Sequence, residues 1–221
     1  MAVRPVRGLV VEEQYLNNLE KALIIFGKSP VPGKVKTRLA EEIGDIQACN
    51  IYRQLLFYTF DMADECNAYV VACLPEKDDH VLEAVPYSTY LQQVHGDLGD
   101  KLRLASKELF NRGFEKVICI GSDCADISSK HIQIAYDKLD THDIVIGPAE
   151  DGGYYLIGMT EPSPYLFTNK SWSTKQLLDE TLESIKEVDN TVFMLEKLSD
   201  IDYLSDLEKT KNRRIKWDQR T

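Results

Sequence analysis

Ala22-Leu23-Ile24-Ile25-Phe26, followed by Gly27-Lys28-Ser29-Pro30-Val31-Pro32-Gly33-Lys34-Val35-Lys36-Thr37-Arg38, is the stretch from which the fold is read. Five consecutive apolar residues suit a short strand buried on both faces, as in a parallel sheet. The loop that follows holds four basic residues and no acid, inside a chain of formal net charge -10. It enters a helix near Thr37, and a helix N-terminus offers free N–H groups and a positive dipole end to phosphate. Lysine and arginine add charge, and arginine grips two oxygens at once. Gly27-Lys28-Ser29 is not the end of a P-loop, because that motif needs glycine where Ala22 stands and a helix directly after the serine. Pro30 and Pro32 forbid that helix. The plain alternative for this loop is a solvated basic turn.

Working outward, short apolar runs alternate with helix-length segments. Thr37–Ile43 reads as a short helix ended by Gly44, and Ile46 to Glu65 as a long one with Asp45 as its N-cap. Tyr69–Leu74 is a second buried strand, 79–85 a short helix, and 90–94 a possible third strand. A helix over Gly99–Asn111 is followed by strand 116–120. Ser128 caps a helix over 130–139, and strands follow at 143–147 and Tyr154–Met159. Ser173 starts a helix with Gln176 placed for a capping box. Thr191–Leu195 reads as a late strand and 203–211 as a last helix. Strands alternating with crossover helices predict an α/β fold: a three-layer, mostly parallel, doubly wound sheet. In such sheets ligands bind at the carboxyl ends of the strands, so the loops that follow strands are where chemistry is sought.

The 221 residues suit one domain, here taken as 21–221 with an N-terminal extension at 1–20. A hydrophobic fraction of 43% and a charged fraction of 28% are those of an ordinary soluble chain. No apolar run reaches the roughly 20 residues of a membrane span, and no signal peptide is read, so a cytoplasmic location is expected. Five cysteines without close pairing argue for reduced core thiols rather than a disulfide framework or zinc site. The acidic balance argues against nucleic acid as a partner but not against a single nucleotide. His80, His95, His131 and His142 show no metal-ligand spacing.

Four further loops follow strands. Gly121-Ser122-Asp123-Cys124 places a carboxylate where Mg²⁺ or Mn²⁺, which prefer oxygen, would be held; the alternative is an Asx turn. Asp151-Gly152-Gly153-Tyr154 allows close backbone approach to a ligand, or is a plain hairpin turn. Ser199-Asp200-Ile201-Asp202 offers a partner for Asp123, or an N-cap for the last helix. Gly96-Asp97-Leu98-Gly99 is a weaker signal for a base or sugar contact.

In order, G-K-S-P-V-P-G-K-V-K-T-R-L-A, G-D-L-G-D-K-L, I-G-S-D-C, G-P-A-E-D-G-G-Y-Y-L-I-G, W-S-T and D-I-D resemble the radical-SAM/selenodomain-associated transferase family over residues 21 to 210. That family stands with the GT-A-like nucleotide-diphospho-sugar transferases. 2-Phospho-L-lactate guanylyltransferase and the molybdenum cofactor guanylyl- and cytidylyltransferases are more distant relatives. The resemblance implies a GT-A-like fold and a metal-dependent transferase acting on a nucleotide-activated donor and a small-molecule acceptor. Lys28, Lys34, Lys36 and Arg38 would hold phosphates, with Gly96 and Gly99 as further nucleotide contacts. Asp123 and Asp202, the latter favoured over Asp200, would hold Mg²⁺ or Mn²⁺. Asp123, Asp151 and Arg38 are the implied catalytic residues, and Gly152, Gly153, Tyr154 and Trp172 the implied acceptor side, with a packing role as the plain alternative for Trp172. Ala125 stands where that family usually has proline. The first expectation is a glycosyltransferase using a nucleotide sugar. A nucleotidyltransferase using a nucleoside triphosphate and a phosphorylated acceptor, and a non-catalytic nucleotide-binding domain, are the alternatives.

Overall fold

The computed structural model describes residues 20–217, so the expected extension at 1–20 lies, but for Glu20, outside the described residues. Among the described residues seven strands form one sheet: β1 (Lys21–Phe26), β2 (Tyr69–Leu74), β3 (Thr89–Gln92), β4 (Lys116–Gly121), β5 (Ile144–Pro148), β6 (Tyr154–Met159) and β7 (Val192–Met194). Their order is β3-β2-β1-β4-β6-β5-β7. All pairings are parallel except those of β6, which runs antiparallel to β4 and β5. The short link from β5 to β6 leaves no room for a crossover helix, so β6 must reverse. The sheet is thus mostly parallel, as the alternation of strands and helices predicts.

The helices are α1 (Thr37–Ile43), α2 (Asp45–Asp64), α3 (Asp79–Ala84), α4 (Leu98–Asn111), α5 (Ser129–Lys138), α6 (Leu177–Glu187) and α7 (Leu204–Lys209). They and the loops cover both faces. One core packs Leu56 and Phe60 of α2, with Ile132 and Tyr136 of α5, on Leu23, Ile25, Ile118 and Ile120. The other packs Leu102 and Leu109 of α4 and Ile185 of α6 on Ile24, Val117 and Ile157. Alternate residues of β1 therefore serve opposite cores, and its residues 22–25 have no exposed surface. A third cluster joins Leu39 of α1 and Ile51 and Leu55 of α2 to Ile201 and Leu207, tying the late acidic segment to the first helices. Among the described residues no helix is long and apolar enough to cross a membrane. The five cysteines are unpaired thiols, and four of them are buried.

Three local expectations are corrected. Asp45 is not the N-cap of α2; Gly44 is, at φ +84, because it both ends α1 and starts α2. The third strand begins at Thr89 rather than residue 90 and stops at Gln92. The helix expected from Ser173 starts instead at Leu177, with Gln176 as its N-cap and no capping box. Ser173 has φ +62, incompatible with a right-handed helix. Thr174 donates its hydroxyl to Ser171 O at 2.7 Å, so this stretch is a tight turn. A 3-10 turn over Pro164–Leu166 was not expected.

Candidate active site

A cavity of about 1040 Å³ opens at the carboxyl ends of β1 and β4. Lys28, Lys36, Arg38, Asp123, Asp151 and Asp202 all line it, brought together from four separate loops. The late acidic segment is laid down by backbone pairing. Leu198 N–H donates to Pro148 O, and Glu150 N–H to Leu198 O. Two residues on, Asp200 bridges Cys124, and Ile201 N–H donates to Asp123 O at 3.0 Å. The segment thereby stitches the loop after β5 to the loop after β4. Buried Ile201 points the other way, into the third cluster, which leaves Asp200 and Asp202 on the side of Asp123.

Lys36 is the centre of this cluster. Its Nζ stands 3.2 Å from Asp123 Oδ2 and 3.2 Å from Asp202 Oδ1, and its side chain is only 3% exposed. Its backbone is left-handed at φ +48, a conformation that a non-glycine residue adopts at a cost of order 1 kcal/mol. Burial works against its charge, but Asp123, Asp202 and Asp200 together outweigh that and hold its pKa above the ordinary lysine value. Arg38 Nη1 lies 2.9 Å from the other oxygen of Asp202, so Asp202 is held between two cations. Asp200 behaves differently: burial first, then the Asp123 carboxylate, pushes it up to about 7 against the pull of Lys36.

Tyr52 of α2 sets the floor. Its hydroxyl accepts from Lys28 N–H at 2.7 Å and lies 3.2 Å from Lys28 O and 3.1 Å from Ser122 Oγ. It thus joins the basic loop to the loop of Asp123. Burial and the nearby Asp123 push its phenol up to about 12. Gln93 Nε2 donates to Gly27 O and Cys73 O, both at 2.9 Å, and joins the ends of β1 and β2 at the cavity wall. Lys101 and Lys175 add two further cations to the lining. The sequence reading missed these four residues as site residues. Tyr52 is legible only as part of the apolar face of α2 and Lys101 only as a member of the run G-D-L-G-D-K-L, and nothing in local spacing marks Gln93 or Lys175.

Other expected site residues stand elsewhere. Lys34, Gly96, Gly99, Gly152, Gly153, Tyr154 and Trp172 are not among the residues that line the cavity. Gly99 packs under Phe167 and Trp172; a Cβ there would lie 2.4 Å from Phe167 O and 2.6 Å from Trp172 Nε1. Tyr154 and Trp172 meet edge to face at 6.4 Å within the second core. Gly96 precedes Asp97, whose carboxylate caps α4 by accepting from Asp100 N–H. Gly152, at φ +91, leaves room for the Lys175 backbone, which a Cβ would meet at 2.5 Å. It therefore joins the loop of Asp151 to that of Ser173, Thr174 and Lys175, which do line the cavity. Asp151 itself accepts from Gly153 N–H at 2.9 Å. Asp126 is a local clamp, accepting from Thr210 Oγ1 and Lys211 N–H.

Among the described residues no three His, Cys, Asp or Glu side chains form a group that would hold a metal by themselves. Asp123 and Asp202 nevertheless reach the same ammonium, so one cation position is shared by two carboxylates. That donor set fits Mg²⁺ or Mn²⁺ as these ions sit in phosphate-transfer sites, on one or two carboxylates completed by substrate phosphate and water.

A seven-stranded sheet in this order, with carboxylates and cations at its carboxyl edge, has the fold of the nucleotide-diphospho-sugar transferases and nucleotidyltransferases. Residues 60–174 match the family described as uncharacterised proteins conserved in bacteria (DUF2064), and the chain belongs to it. A crystal structure from Desulfovibrio desulfuricans G20, provisionally described as a nucleotide-diphospho-sugar transferase, is similar at 31% identity and a TM-score of 0.82. The match covers 86% of this chain and 85% of that one. CMP:2-keto-3-deoxy-manno-octonic acid synthetase, solved with CTP, shares the fold at 14% identity and a TM-score of 0.51, over 86% and 96% of the two chains. So does a Mycobacterium tuberculosis H37Rv protein solved with manganese, at 14% identity and 0.53, over 89% and 98%. No curated protein matches the sequence.

Proposed function

We propose that this chain is a divalent-metal-dependent transferase that takes a nucleotide-activated donor, with a nucleotide sugar as the first reading. The observation that carries it is the pairing of Lys36 and Arg38 with Asp123 and Asp202 in one cavity at the carboxyl edge of the sheet. Lys28, Lys36 and Arg38 bind the donor phosphates and face the charge that builds on the leaving group. A bound ion, held by Asp123 and Asp202, would neutralise part of that same charge. Asp151, fixed by the Gly153 N–H, is the base for an acceptor hydroxyl. The acceptor oxygen bonds to the sugar carbon, the bond from that carbon to the phosphate oxygen breaks, and the proton passes to Asp151. The motif order that resembles the radical-SAM-associated transferases supports the same reading.

Nucleotidyl transfer is the second reading, favoured by Lys101 and Lys175. Neither has an ion-pair partner among the described residues, and both line the cavity in addition to the basic loop. Five cations around three carboxylates suit a triphosphate with a phosphorylated acceptor. There the acceptor attacks the α-phosphorus and pyrophosphate leaves.

The test is product analysis of the protein with Mn²⁺ and mixed acceptors. Nucleoside diphosphate released from nucleotide sugars supports glycosyl transfer, and pyrophosphate released from triphosphates supports nucleotidyl transfer. Tight nucleotide binding that is indifferent to Mn²⁺ and gives no product would instead mark a non-catalytic nucleotide-binding domain.

A further inference from the structure

An ammonium in contact with two carboxylates occupies the position that a shared cation would take. We propose that Lys36 is a resident counter-ion of the acidic cluster, which a divalent metal must displace before Asp123 and Asp202 can hold it. The inference rests on the metal-dependent reading above, but its test contains no nucleotide and so fails or succeeds separately from it.

Three observations carry it. Lys36 Nζ lies at the same distance, 3.2 Å, from an oxygen of Asp123 and an oxygen of Asp202. Its side chain is 3% exposed, whereas those of Asp123 and Asp202 are 45% and 35% exposed, so the carboxylates are open to the cavity and the lysine is behind and between them. Its backbone is held left-handed at the entry to α1, a costly conformation that persists only where the surrounding structure fixes it.

Elementary electrostatics supplies the consequence. Carboxylates packed this closely repel unless a cation lies among them, and a buried charge must be paired. Lys36 meets both needs at once and keeps the loops of residues 123 and 202 together without metal. An ion and an ammonium do not share two carboxylate oxygens at contact distance, because they repel at short range. A metal that takes the two oxygens now on Lys36 therefore requires the ammonium to leave. Donor phosphates held by the basic loop, as proposed above, would be the natural place for it to go. Metal alone should consequently bind poorly, and the lysine should pass from carboxylate to phosphate as donor and metal enter together.

The experiment measures free Mn²⁺ by electron paramagnetic resonance as it is titrated into the full chain, wild type and Lys36→Met, without nucleotide. The expected result is Mn²⁺ affinity at least tenfold tighter in Lys36→Met, with a melting temperature that Mn²⁺ restores. Equal or weaker affinity in a folded variant, or no binding to either protein, overturns the proposal. Should Lys36→Met not fold, amine labelling of the wild type, read residue by residue by mass spectrometry, decides. With Mn²⁺ carried to concentrations at which electron paramagnetic resonance shows it bound, labelling of Lys36 that rises with occupancy supports displacement, and labelling unchanged at full occupancy, or no occupancy at any concentration, overturns it.

Discussion

Ile201 donates its backbone N–H to the carbonyl of Asp123 at 3.0 Å, and this one bond fixes which acids of the chain share a site. The side chain of Ile201 is buried against α1 and α2, so its two neighbours, Asp200 and Asp202, lie on the side of Asp123, and Asp202 lines the cavity. The carboxylate of Asp202 then meets Lys36 and Arg38 from the loop after β1. Loops far apart in sequence become one electrostatic unit through backbone pairing and one buried isoleucine.

Arg38 lines the cavity, and its side chain is 57% exposed and bonded to Asp202, a placement suited to phosphate binding. Arg38→Ala is expected to weaken nucleotide binding by about 1.5–3 kcal/mol, the worth of a charge-assisted phosphate bond. Its melting temperature should stay near that of the wild type. Calorimetric titration and thermal melts check this; a loss of stability with unchanged affinity would make Arg38 structural.

Tyr52→Phe removes a hydroxyl that accepts from Lys28 N–H and lies within hydrogen-bond reach of Ser122 Oγ. The buried groups left behind should cost about 1–3 kcal/mol of stability. Because the same hydroxyl holds the basic loop, affinity for nucleotide should fall several-fold as well. Denaturant unfolding and binding measured on the same protein test the link. Lost stability with full affinity would separate the tyrosine from the loop's function.

The acidic cluster makes stability depend on pH through Asp200. Its folded-state pKa, about 7, lies above the ordinary carboxylate value of 3.8, so the folded protein keeps a proton that the unfolded chain releases. Between those values the native state binds more protons, and stability from this group falls as pH rises. The stabilisation is complete below about 4 and is gone above about 7. In metal-free buffer, the melting temperature of Asp200→Asn minus that of the wild type should therefore grow from pH 4 to pH 7. A difference that is constant or shrinks over that range would contradict the assignment.

Gly99 separates packing from binding. A methyl group there would collide with Phe167 O and Trp172 Nε1. Gly99→Ala should thus lower the melting temperature by several degrees while leaving nucleotide affinity close to wild type. Affinity lost at unchanged stability would restore the nucleotide contact that the glycine-flanked turn suggests.

How much was legible follows from what local pattern encodes. The run Ala22–Phe26 and the helix from Thr37 were readable because burial on both faces and the break at Pro30 and Pro32 leave direct marks in sequence. Asp123 and Arg38 were readable as loop residues after strands. Tyr52 was hidden because a helix period registers it as apolar, although its hydroxyl end is what serves the site. Lys36 was legible as a cation but not as the partner of two acids, since that pairing depends on the register of residues 198–202 against two other loops. Trp172 packs against the second core and Gly99 lies against it, contacts between residues far apart in sequence that a local motif does not encode. The false helix start at Ser173 arose because serine and glutamine at capping-box spacing also occur in a turn.

Nucleotide binding with and without metal decides whether this cavity is a metal-dependent nucleotide site. Purified protein would be melted with nucleoside diphosphates, nucleoside triphosphates and nucleotide sugars, each in Mn²⁺ and in EDTA, beside Asp123→Asn. A metal-dependent site gives stabilisation by at least one nucleotide class in Mn²⁺, its loss in EDTA, and its loss in a folded Asp123→Asn. No shift with any nucleotide, or the same shift in EDTA and in the variant, would contradict it.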